Sequence, residues 1–147
     1  MNSEIRSKAL DLLARREHSR CELQRKLLER GFTESEINPL LEKLVGEGLQ
    51  SDERFTEIYI RSRVRSGFGP IRITMELRER GVDGDLIKIS LEEYSPDWLE
   101  LVESVHKKKF GTKFGKDFKE QSKQARFLQY KGFTNEQIKH VLDICPS

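Results

Sequence analysis

The residues of this chain whose types and spacing could do chemistry are basic, and they form two clusters. Arg61, Arg63, Arg65 and Arg72 surround the stretch Gly67-Phe68-Gly69-Pro70, with no acid from residue 58 to residue 75. Arg61 and Arg65 are four apart and so share a helix face. The second cluster is Lys107, Lys108, Lys109, Lys113, Lys116, Lys119, Lys123 and Arg126, against only Asp117 and Glu120. Surfaces of this kind attract a phosphate backbone or an acidic protein groove. The same residues also suit ordinary solvated helix faces, and both readings stay open. Phe110, Phe114 and Phe118 punctuate the second cluster at four-residue intervals and are expected in the core. Neither cluster implies base-specific readout, which needs a recognition element aimed at base edges.

Other chemistry finds little support. His18, His106 and His140 are scattered, and with the distant Cys21 and Cys145 they give no zinc-ligand spacing. The stretch Gly111-Thr112-Lys113-Phe114-Gly115-Lys116-Asp117 has three residues between its glycines where a Walker loop has four. Asp117 stands there in place of the magnesium-binding Ser or Thr, and no strand precedes it. In Arg65-Ser66-Gly67-Phe68-Gly69-Pro70-Ile71-Arg72, a phosphate cradle competes with helix punctuation. Pro70 suits the first turn of a helix and Gly69 its N-cap, and the preceding segment reads as helix, so punctuation is the better account. No enzyme activity, metal or cofactor is expected.

Composition agrees with a binding protein. Lys and Arg number 27 against 25 Asp and Glu, a net charge of +2, with 35% of the 147 residues charged. Residues 97–147 hold ten basic residues against seven acidic ones, so the positive excess lies in that third. No apolar run approaches the roughly 18 residues that a membrane span needs. The charged N-terminus has no apolar signal core, so a cytoplasmic protein without membrane contact is expected.

The elements that must position these residues recur in a pattern. Leu27 to Gly31-Phe32-Thr33, Leu77 to Gly81-Val82-Asp83 and Leu128 to Gly132-Phe133-Thr134 repeat one motif, with glycines at 31, 81 and 132. Each glycine follows a basic residue and precedes an apolar residue and then a capping residue. That order predicts a helix ending in a left-handed glycine and another starting two residues later. Ser19 with Glu22, Thr33 with Glu36 and Thr134 with Gln137 have capping-box spacing, and Asp52 and Asp97 suit N-cap positions. Apolar periodicity supplies the other helices, including a stripe of Phe55, Ile58 and Tyr59. The expected fold is all-α, an elongated curved array of three tandem three-helix repeats at 1–50, 51–96 and 97–147, about nine helices. The middle helix of the third repeat fits least well, because Gln124 stands where the others have Leu23 or Ile73.

Specific residues then match a known family. Arg16-Glu17-His18-Ser19, Glu22-Leu23 and Lys26-Leu27 are followed by Ser51-Asp52-Glu53-Arg54-Phe55 and Tyr59-Ile60-Arg61. Next come Gly67-Phe68-Gly69-Pro70-Ile71-Arg72-Ile73 and Glu76-Leu77-Arg78-Glu79-Arg80-Gly81-Val82, and later Arg126-Phe127-Leu128 with Lys131-Gly132-Phe133. Together these resemble the RecX family of bacterial regulatory proteins over essentially the whole chain, most densely in 51–82. The resemblance implies a modulator of the RecA recombinase that binds the groove of the RecA–single-stranded DNA filament. It would restrain filament extension, strand exchange, ATP hydrolysis and co-protease activity, with no catalysis of its own. The implied partners are the RecA filament and its single-stranded DNA, met directly or through RecA, and the protein is expected to act as a monomer. The family does not assign contact residues. From charge alone the candidates are Arg61, Arg63, Arg65, Arg72, Lys107, Lys108, Lys113, Lys116, Lys119, Lys123 and Arg126.

Overall fold

A computed structural model of the chain describes residues 3–94, 96–111 and 117–143. Among these residues every regular element is an α-helix: α1 (Ser3–Arg15), α2 (Arg20–Glu29), α3 (Glu34–Gly46), α4 (Asp52–Arg65), α5 (Pro70–Glu79), α6 (Gly84–Tyr94), α7 (Trp98–Phe110), α8 (Phe118–Lys131) and α9 (Asn135–Asp143). None is long and apolar enough to cross a membrane.

The described residues gather into two compact units. The first runs to Tyr59 and takes in Leu77–Ser90; the second comprises Ile60–Glu76 and the chain from Leu91 onward. In the first, Ile5, Ala9 and Leu12 of α1 pack with Leu23 and Leu27 of α2 and with Ile37, Leu41 and Leu44 of α3. In the second, Val102 of α7, Leu128 of α8, and Phe133, Ile138 and Val141 form the corresponding core. These residues recur every three or four positions, as burial of one helix face requires.

Capping starts the helices where the sequence predicts, with one exchange. Ser19 with Glu22 and Thr33 with Glu36 form complete capping boxes, and Thr134 pairs reciprocally with Gln137. Asp97 caps α7 through the amides of Leu99 and Glu100. Asp52, in contrast, is not a cap: Ser51 Oγ accepts from the Arg54 amide, and α4 already includes Asp52. The Asp52 carboxylate instead accepts from the Arg20 amide at 2.9 Å and from Gln50 Nε2 at 3.0 Å, fixing the start of α2. In α4 the buried residues are Phe55, Thr56 and Ile60, whereas Ile58 is 48% exposed, so the stripe passes through Ile60 rather than Ile58.

The three repeated glycines lie at φ 94°, 79° and 100° (Gly31, Gly81, Gly132). At each, the following amide (Phe32, Val82, Phe133) donates to a leucine carbonyl five residues back (Leu27, Leu77, Leu128) at 3.1–3.2 Å, closing a Schellman turn. Two of these turns do more than end a helix. A Cβ on Gly132 would lie 2.7 Å from the Arg72 amide nitrogen, and one on Gly81 would collide with Cys21. Around Gly31 nothing lies within 4 Å of that position. In both units, therefore, the N-terminus of a middle helix sits directly on a glycine turn. Gly31→Ala should cost about 1–2 kcal/mol, the left-handed penalty alone. Gly132→Ala should cost a further 1–3 kcal/mol or so through overpacking. Urea denaturation midpoints measure both losses, and equal losses would refute the docking role.

Candidate polyanion-binding surface

All the sequence-predicted basic residues that the structure describes belong to the second unit. The corner between α4 and α5 organises them. Pro70 is the first residue of α5, and the Ile73 amide donates to the Gly69 carbonyl at 3.1 Å, which makes Gly69 the N-cap. The Gly69 amide donates to the Lys131 carbonyl at 2.8 Å, and the Ile71 amide to the Gly132 carbonyl at 3.0 Å. The amides that a phosphate cradle would need are thus already committed to the end of α8. Punctuation and docking, not phosphate capture by the backbone, are what this corner does.

The four arginines separate into two kinds. Arg63 and Arg72 are half-buried and share one carboxylate. Arg63 Nε and Nη2 each donate to Glu76 at 2.8 Å, and Arg72 Nε donates to it at 3.1 Å. Arg72 Nη1 also donates to the Tyr130 carbonyl at 3.1 Å. Both guanidinium groups lie against the Phe68 ring, with centroid distances of 3.9 and 4.5 Å, and Arg72 also lies 4.8 Å from the Tyr130 ring. These contacts hold the corner together. Arg61 is exposed and lies 5.1 Å from the Tyr94 ring centre. Arg65 is exposed, and among the described residues no carboxylate pairs with it.

Lys107 and Lys108 on α7, and Lys119, Lys123 and Arg126 on α8, are all exposed. Lys113 and Lys116 lie outside the described residues, as do Phe114 and Cys145. Of the Walker-like stretch, Asp117 is described as the N-cap of α8, accepting from the Glu120 amide at 2.7 Å. Phe110 is partly buried, tilted against His106 and edge-on to Phe127. Phe118 is not core: it is 85% exposed. It stands six residues before the buried Gln124, about a third of a turn off that helix's inward face.

Gln124 itself is fully buried and hydrogen-bonded at 2.8 Å to His106 Nε2, so a polar pair replaces an apolar contact between α7 and α8. Burial of either group without the other would leave a costly unmet hydrogen bond.

The structure joins the two basic clusters in one cleft of about 430 Å³. Its cations are Arg65 from α4, Lys108 and Lys109 from α7, and Lys131 at the end of α8. Leu101, Val105 and Phe127 supply an apolar wall, and no acidic residue lines the cleft. Lys107, Lys119, Lys123 and Arg126 do not line it. Lys131 was not singled out as a binding residue by charge clustering, because it lies beyond the lysine run, in the repeated turn. Its ammonium sits 4.0 Å from the Phe68 ring centre and 3.5 Å from the Ser66 carbonyl. Burial, and then the nearby charges of Arg72, Arg63 and Lys108, push its pKa below the ordinary lysine value. An anion in the cleft would relieve that crowding.

Family models describing RecX match the chain in order: the first three-helix domain at 6–44, the second at 51–91 and the third at 96–142. The chain is 46% identical to the regulatory protein RecX of Halorhodospira halophila over 135 residues, covering 92% of this chain and 84% of that protein. It is 44% identical to the regulatory protein RecX of Pseudomonas fluorescens over 138 residues, covering 94% and 89%. The crystal structure of RecX from Lactobacillus salivarius has the same fold, with a TM-score of 0.81 at 23% identity over 97% of this chain and 96% of that one.

The shared carboxylate gives a direct test. Glu76→Gln removes the anion from two guanidinium groups whose side chains are about a quarter exposed. The expected loss of stability is about 2 kcal/mol, the scale of charge-assisted hydrogen bonds, read from urea denaturation. An unchanged midpoint would show that Glu76 does not hold the corner.

Proposed function

Because the chain belongs to the RecX family of regulatory proteins, we propose that it binds the RecA–single-stranded DNA filament and restrains its extension. It acts in the cytoplasm as a monomer, by occupancy rather than catalysis. Filament-dependent ATP hydrolysis, strand exchange and co-protease activity fall together, since all three depend on the extended filament. The three repeats, divided at 1–50, 51–96 and 97–147, contribute one continuous binding protein, and the filament groove receives it.

The observation that carries this reading is the ordered match of all three domains to the family. The chemistry of the second unit is compatible with it. A filament on DNA is a polyanion, and Arg65, Lys108 and Lys131 present positive charge with no carboxylate paired to them among the described residues. Such charge supports association at a rate that depends on ionic strength.

The test is RecA-catalysed ATP hydrolysis on single-stranded DNA, with this protein added at substoichiometric ratios. Hydrolysis should fall progressively, and binding to assembled filament should be much tighter than to RecA alone. Undiminished hydrolysis at every ratio would overturn the reading.

A further inference from the structure

We propose that the cleft between the α4 end, α7 and the α8 end is a direct site for single-stranded nucleic acid, holding the phosphate of one nucleotide among Arg65, Lys108, Lys109 and Lys131. The inference rests on the geometry of the second unit and not on the RecA reading.

Charge comes first. Glu76 satisfies Arg63 and Arg72, but the cleft cations have no such partner among the described residues. Four positive groups from three helices converge there without an acid in the wall. Lys131 is held in place by the Phe68 ring and the Ser66 carbonyl, so its ammonium is positioned before any ligand arrives. A fixed cation costs less to engage than a free one, because its side-chain entropy is already lost.

The wall then narrows the ligand class. An acidic peptide would need only charge, and an inorganic phosphate only donors. This cleft adds Val105, Leu101 and the ring of Phe127, and Ser66 and Ser104 at its edge. The Lys109 ammonium lies 5.4 Å from the Phe127 ring centre, placing a cation beside an aromatic surface. Paired phosphate contacts and an apolar or aromatic surface are the features by which proteins hold unpaired strands. The volume, about 430 Å³, matches a small-ligand site and admits one nucleotide unit, whereas a stacked base pair keeps its bases inside the duplex.

The experiment is fluorescence anisotropy of a labelled oligothymidylate with the full chain and no RecA, over a range of salt. The variant Arg65→Glu/Lys108→Glu changes two exposed residues, and circular dichroism checks that helicity is kept. Its affinity should fall about tenfold or more, and the slope of log K against log salt should decrease by roughly 1.4, about 0.7 for each lost phosphate contact. Arg65→Gln/Lys108→Gln should show the same direction with a smaller loss. Lys8→Glu, an exposed change on α1 in the first unit, should leave binding unaltered. Three results would each overturn the proposal. They are unchanged affinity in both double variants, an equal loss in Lys8→Glu, or displacement by poly-glutamate or inorganic triphosphate as effective as by unlabelled oligomer. Inhibition of RecA without any binding to naked oligomer would refute this site while leaving the family function standing.

Discussion

In the second unit, the first amides of α5 donate to the last carbonyls of α8, through Gly69 to Lys131 and Ile71 to Gly132. Every α-helix ends with backbone groups that its own ladder cannot satisfy, donors at the start and acceptors at the finish. Here one helix's orphan donors meet another's orphan acceptors, with the positive end of one dipole against the negative end of the other. The approach is possible only because both contacting positions lack a Cβ. A Cβ on Gly69 would lie 2.5 Å from the Gly132 carbonyl carbon, and one on Gly132 would strike Arg72. The first unit uses a related joint. Ser19 Oγ donates to the Arg80 carbonyl at 2.7 Å, Arg25 Nη1 donates to the Glu79 carbonyl at 3.2 Å, and Gly81 faces Cys21.

That joint decides which charges are spent and which remain. Seating α5 on the Gly132 turn brings Arg72 to the Tyr130 carbonyl and to Phe68, and Glu76, one turn along, reaches both Arg72 and Arg63. Three ionic side chains and a ring become structural glue. The same turn carries Lys131, which is drawn over the other contacts of Phe68 and into the cleft wall. Basic residues close together in sequence thus part company. Arg63 and Arg72 stabilise the corner, and Arg65 is left for a ligand.

Much of the fold was legible because it depends on local rules. Capping boxes at Ser19, Thr33 and Thr134 involve residues three apart, and glycine turns show their chemistry within seven residues. What sequence missed depends on partners distant in the chain. Asp52 looks like a cap, but its carboxylate is claimed by the Arg20 amide. Gln124 looks like a defect in the third repeat until His106 is found against it, eighteen residues away. Phe118 matches the spacing of Phe110, but a helix start intervenes and resets the face. For the site, charge clustering found Arg65 and Lys108, yet it could not separate them from Arg63 and Arg72. That separation needs the position of Glu76.

The repeated glycine therefore has two roles, and their physical origins differ. Its left-handed turn serves the helix it ends, and this role is the same at Gly31, Gly81 and Gly132. Its missing side chain serves a neighbour, and this role exists only where another helix start arrives, at Gly81 and Gly132. Because the residue before the third glycine is the cleft lysine, docking and ligand chemistry share one turn in the second unit. A ligand anion beside Lys131 would offset repulsion from Arg63, Arg72 and Lys108, all of which the docked joint brings close. Binding at the cleft and closure of the α5–α8 joint are on this account thermodynamically linked: whatever the anion gains from the closed joint, the closed joint gains from the anion.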